Sequence, residues 1–85
     1  MPTLDAAPLT DEEYRERLHD LPPSAKLVAK VLEMESPRSQ EEVAGESLLP
    51  GRTVRYALDR LEDRDIVHAR HDPRDARRRV YSLRR

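Results

Sequence analysis

Apolar positions along the chain repeat with two periods. From Thr10 to Arg64 the spacing is helical, and after it the spacing is that of strands. Thr10 followed by Asp11, Glu12 and Glu13 has the form of a capping box, with Thr10 as N-cap and Glu13 three residues on. The short helix it opens carries Tyr14, Leu18 and Leu21 as one stripe before Pro22 and Pro23 interrupt it. "SAKLVAKVLEME" is the strongest helical segment, with Leu27, Val28, Val31 and Leu32 expected inward and Lys26, Lys30 and Glu33 toward water. Past Pro37 a second capping box, Ser39 with Glu42, opens "QEEVAGES", a helix of about two turns with Val43 and Ala44 inward.

A fourth helix, over about residues 50–64, places Val54, Leu58 and Leu61 on one stripe with Ala57 beside it. That stripe forces Arg52, Arg55, Tyr56 and Asp59 onto the opposite arc. "IVHARH" and "RRRVYSLR" are then two β-favouring runs separated by the turn material "DPRDA", a hairpin over about residues 66–83. The order is four helices and two strands, mainly α with a small β-hairpin, after an irregular lead-in over residues 1–9. Residues 10–85 read as one domain.

Composition narrows the function more than the fold. At 85 residues the core is minimal, and without Cys no disulfide or thiolate zinc site reinforces it. No apolar run approaches the roughly 18 residues that span a bilayer, and the acidic N-terminus is unlike a signal peptide, so the cytoplasm is expected. The net charge of -1 conceals a division. Residues 1–50 hold 11 acidic and 5 basic side chains, a balance of -6, whereas residues 51–85 hold 6 and 11, a balance of +5. Fourteen of the 16 cations are Arg, whose planar fork suits phosphates and guanine edges. A basic C-terminal half of this kind faces a polyanion.

Catalysis has no foothold. There is no Cys nucleophile, no Gly-rich phosphate loop and no metal-binding His spacing, so we expect neither an enzyme nor a cofactor. His68 and His71, three apart on a strand, fall on opposite faces and read as surface histidines.

The order of elements and two segments resemble the winged helix-turn-helix domain of the multiple antibiotic resistance regulator (MarR) type of prokaryotic transcription regulators, over Ser24 to Leu83. "SQEEVAGESLLPGRTVRYALDRLEDRDIV" is similar to that family's support helix, turn, recognition helix and first wing strand, and "DPRDARRRVYSL" to its wing. The resemblance implies a regulator that binds duplex DNA, as a homodimer. It also implies that Asp75 pairs with Arg77 and shapes the wing, and that a wing-tip Arg reaches the minor groove. The family usually has Gly where the recognition helix meets the wing; here the residue is Asp65. Many relatives continue into a long dimer-forming helix after the wing, so this chain, ending at Arg85, is expected to dimerise through other surfaces.

Candidate contacts follow from groove geometry. Arg52 and Arg55, in the first turns of the helix, suit guanine edges, and Thr53 suits a thymine methyl or a phosphate. Tyr56 is expected on a phosphate and Arg60, a turn later, on the DNA backbone. The N-terminus of the support helix at Ser39 and Gln40 suits a phosphate, opposed by Glu41 and Glu42. Arg74, Arg77, Arg78 and Arg79 crowd the wing. Three blander alternatives stand beside these: an Arg55–Asp59 pair on a solvated face, packing within the chain rather than a dimer seam for Tyr14, Leu18 and Leu21, and a protein-binding adaptor on the same scaffold. Structured RNA would want stacking aromatics, and the only three are scattered tyrosines.

Overall fold

The two capping boxes form as the sequence requires. In a computed structural model, which describes residues 7–85, the Thr10 hydroxyl accepts from the Glu13 backbone N–H and the Glu13 carboxylate accepts from that of Thr10, opening α1 (Asp11–His19). Ser39 and Glu42 repeat the exchange at α3 (Gln40–Ser47). Between them lies α2 (Pro23–Met34), with Pro at its first position, where a missing N–H costs nothing. α4 (Gly51–Asp63), β2 (Val67–Asp72) and β3 (Asp75–Leu83) complete the chain. Residues 1–6 of the expected lead-in lie outside the described residues.

One element was not legible. β1 (Arg38–Ser39) is a two-residue strand that pairs antiparallel with β3, Arg38 opposite Tyr81 and Ser39 opposite Val80, so the sheet has three strands in the order β1-β3-β2. The layout is α+β, with helices packed over one small sheet.

One packing result decides between two readings and another corrects an expectation. Tyr14, Leu18 and Leu21 are 4, 8 and 3 % exposed, so the stripe is core of this chain and its use as a dimer seam is set aside. The Tyr14 hydroxyl donates to Glu33, and the Arg85 guanidinium lies 4.7 Å from the ring centroid. Burial first, and that hydrogen bond second, push the phenol's pKa up. On α2 the inward stripe is Ala25, Val28, Ala29 and Leu32 with Val31 beside it, whereas Leu27, expected inward, is 41 % exposed. The two alanines are fully buried members of the core, and α2 packs against α4.

The end of α4 shows how the chain turns into the wing. Asp65 adopts φ 56°, and the N–H groups of Asp65 and Ile66 return to the carbonyls of Glu62 and Leu61. This is a Schellman closure, with Asp in the left-handed position that favours Gly. Arg17 of α1 donates to the Arg64 carbonyl at 3.1 Å, and Arg84 of the C-terminal strand end pairs with the Asp65 carboxylate at 3.8 Å. The first helix is thereby tied to the last turn of α4.

Candidate nucleic-acid interface

The outer face of α4 is dictated by its inner one. Val54, Ala57, Leu58 and Leu61 are all buried, each large one contributing roughly 1.5–3 kcal/mol. Arg52, Arg55, Tyr56 and Asp59 are consequently exposed, and Thr53 and Arg60 lie half-buried on one flank. Pro50 caps α4 without a side-chain hydrogen bond, so the first turn keeps N–H groups that no side chain occupies. Its approach is set by the turn after α3: Leu48, at φ 62°, returns its N–H to the Ala44 carbonyl, and the Gln40 amide donates to the Gly51 carbonyl at 3.1 Å. Gln40 thus links the first residues of both helices.

None of Arg52, Arg55 and Arg60 has a carboxylate within ion-pair reach among the described residues, so the Arg55–Asp59 pair does not form. Arg60 is the most enclosed of the three. Its Nε is shut away from solvent without a hydrogen-bond partner among the described residues.

The wing arginines are arranged in the opposite way. The Asp75 carboxylate accepts the Arg77 backbone N–H at 3.1 Å and its Nε at 3.3 Å, as the resemblance implied. A second clip of the same spacing precedes it. Asp72, 3 % exposed, accepts the Arg74 backbone N–H at 2.9 Å, Nε at 3.3 Å and Nη2 at 3.4 Å. The backbone hydrogen bond from Arg74, followed by that of its side chain, holds the Asp72 carboxyl below the usual range, while Asp72 raises the Arg74 guanidinium. "DPRDAR" is therefore a tandem Asp-x-Arg clip, and its first half was visible in the spacing although it read only as turn chemistry. Arg79 pairs with Glu62 of α4 at 3.3 Å. Arg78 is half-buried and has no such partner among the described residues.

At α3, Ser39 corrects the expectation of a phosphate contact. Its hydroxyl is buried and accepts from Glu42, and its own N–H is held by the Glu42 carboxylate, whose pKa is lowered chiefly by that backbone bond. The groups left open at this helix start are those of Gln40 and Glu41.

Two clefts bring the parts together. One, of about 270 Å³, is lined by Ser39, Gln40, Glu41, Arg78 and Arg79. The other, of about 240 Å³, is lined by Gln40, Arg55, Asp59, Arg77, Arg79 and Tyr81. The start of α3, the face of α4 and the wing therefore share one flank, joined through Gln40 and Arg79. A wider depression of about 550 Å³ lies at the other end of α4, around Glu62, Asp65, His68 and the Asp65–Arg84 pair. His68 and His71 are both exposed, and no group of three or more His, Cys, Asp or Glu among the described residues is placed to hold a metal ion. No described helix is long and apolar enough to cross a membrane.

No family model matches the sequence, and no curated protein does. Solved structures do match. A probable transcriptional regulator from Pseudomonas aeruginosa superposes with a TM-score of 0.73 at 22 % identity, covering 86 % of this chain and 59 % of its own. The PcaV transcriptional regulator of Streptomyces coelicolor, in complex with its natural ligand, gives 0.72 at 25 % identity over 75 % of this chain and 45 % of its own. MepR of S. aureus, in a complex with DNA, gives 0.70 at 21 % identity over 85 % and 61 %. The chain thus spans between 45 and 61 % of the length of these structures. Its fold is the winged helix-turn-helix that they carry, in agreement with the MarR-type resemblance of its sequence.

Proposed function

We propose that this chain is a sequence-specific duplex-DNA-binding transcription regulator of the cytoplasm, acting as a homodimer on a two-fold site. The observation that carries the reading is the shared flank: Gln40, Arg55, Arg77 and Arg79 line one cleft although they come from three elements. α4 enters the major groove by its first turns, where Arg52 and Arg55 meet base edges and Thr53 and Tyr56 meet a thymine methyl and phosphate. The free N–H groups at Gln40 and Glu41, with Arg78 and Arg79 across the cleft, take a phosphate against the opposing charge of Glu41. The clipped hairpin carries Arg74 and Arg77 toward the minor groove and backbone. MepR, whose fold this chain shares, was solved with DNA, which supports the same polymer here.

The matched structures are transcriptional regulators by name, which supports a regulatory rather than a catalytic role. The dimer contact uses a surface other than the buried Tyr14, Leu18 and Leu21 stripe.

Binding of random duplex DNA across a salt series tests the reading. We expect log K to fall steeply and linearly with log salt, by about 0.9 for each phosphate neutralised. A flat response assigns the scaffold to protein-binding adaptors instead.

A further inference from the structure

The three elements of the face meet at one side chain. Arg79 lines both clefts, facing Gln40, Glu41 and Arg78 in one and Arg55, Asp59 and Arg77 in the other. Of the acid-paired wing arginines it is the least open to solvent, 52 % exposed against 80 % for Arg74 and 91 % for Arg77. Two contacts restrain it. Its Nη2 donates to Glu62 Oε2 at 3.3 Å, and its guanidinium carbon stands 5.6 Å from the centroid of the Tyr81 ring. Arg74 and Arg77 are tied to acids of their own hairpin, two residues away, so those pairs set only the hairpin's shape. Glu62 differs because it reaches from α4 across to the wing, joining residues 17 apart.

We infer that Glu62 is a positioning residue that restrains indiscriminate DNA binding: its carboxylate holds Arg79 against α4 and neutralises a cation that any phosphate backbone would otherwise engage. Non-specific affinity counts the cations free to displace counterions, each adding about 0.9 to the salt slope. A guanidinium already paired at the junction of helix and wing joins that count only when a phosphate displaces the carboxylate. Among the described residues Arg52 and Arg55 of the base-facing helix and Arg78 of the wing have no acid partner, whereas Arg79 beside them is held by an acid of α4. The inference rests on the DNA-binding reading above.

Anisotropy titrations of a labelled random duplex across a salt series test it, using the full chain. Glu62→Gln keeps the side chain's volume and removes its charge. We expect this variant to bind about two- to fivefold tighter at low salt, the range set by a half-exposed ion pair, with a slope steeper by about 1. Asp63→Asn removes one charge from an exposed neighbour without a cation partner among the described residues, and should change the slope less. In an Arg79→Ala background, Glu62→Gln should leave the slope where it was. Unchanged or weaker binding by Glu62→Gln, or a gain that persists undiminished without Arg79, overturns the inference while leaving DNA binding intact. A wild-type chain with no salt-dependent binding overturns both.

Discussion

The arginines of α4 and those of the wing differ in how they are held. Arg52, Arg55 and Arg60 have no carboxylate in reach among the described residues, whereas three of the four wing arginines, Arg74, Arg77 and Arg79, each have one, at 3.3 Å in every case, Arg78 being the exception. The difference follows from what fixes each element. α4 is a rigid cylinder anchored by four buried side chains, so its outer residues are positioned by the backbone and need no clip. The wing is a two-stranded ribbon extending past its core, marginal by itself, and its turn is held by the two Asp-x-Arg clips. Under the proposed function, sequence reading falls to the first kind of support and adaptable backbone contact to the second.

The comparison breaks first if α4 is not held by its buried face. Leu58→Ala should cost about 2–5 kcal/mol in chemical denaturation, a large part of the stability of so small a domain, and a cost below about 1 kcal/mol would contradict the anchoring. Next comes the division of labour between the two groups of arginines. Arg55→Ala should remove about 1–3 kcal/mol of base discrimination, read from selected against random duplexes, while Arg78→Ala should weaken binding to all sequences alike. Equal effects of Arg55→Ala on every sequence would take it out of base reading.

Ser39→Ala should cost about 1 kcal/mol of stability through the lost cap, without altering the salt slope of DNA binding by more than the fold loss explains. A change in slope at full folding would return Ser39 to the phosphate site. The wing clip should also respond to acid. The Asp72 carboxyl has a lowered pKa in the folded chain, so its contribution is fully present above the ordinary carboxylate range, near pH 4, and disappears as pH falls through the lower folded value. Loss of exchange protection at the Arg74 amide below that range, measured against its intrinsic rate at each pH and ahead of the α4 amides, is the expected outcome. Asp72→Asn should show it already at neutral pH.

The smallest effects lie at the two left-handed residues. Leu48, 88 % exposed at φ 62°, has no compensating contact, and Leu48→Gly should raise stability by about 0.5–1 kcal/mol. Asp65→Gly should gain less, since Asp tolerates φ 56° better and its pairing with Arg84 is lost.

Local rules made most of the fold legible. The capping boxes at Thr10 and Ser39 and the stripe of Val54, Leu58 and Leu61 are each written within a few residues, and they fixed three helices. β1 was not legible because two residues carry no period and its partner strand lies far along the chain. On α2 Val28, Val31 and Leu32 are buried as expected, and only Leu27 was misplaced, because it outweighs Ala25 in hydropathy although Ala25 is the residue that is buried. At the site, residue types and faces could be read. The pairing state of each arginine could not, because Glu62 meets Arg79 only through the packing of helix and sheet. Asp72 is the exception: its clip repeats the Asp75 spacing and was there to be seen.

The most direct test is amide chemical-shift mapping of the labelled chain as duplex DNA is added. The account predicts that the largest changes fall together on residues 40–41, 51–56 and 74–79, with α1 and the exposed face of α2 near Leu27 and Met34 left quiet. Shifts centred on α1 and α2, or confined to the wing while residues 51–56 stay still, would contradict a single face built from recognition helix and wing.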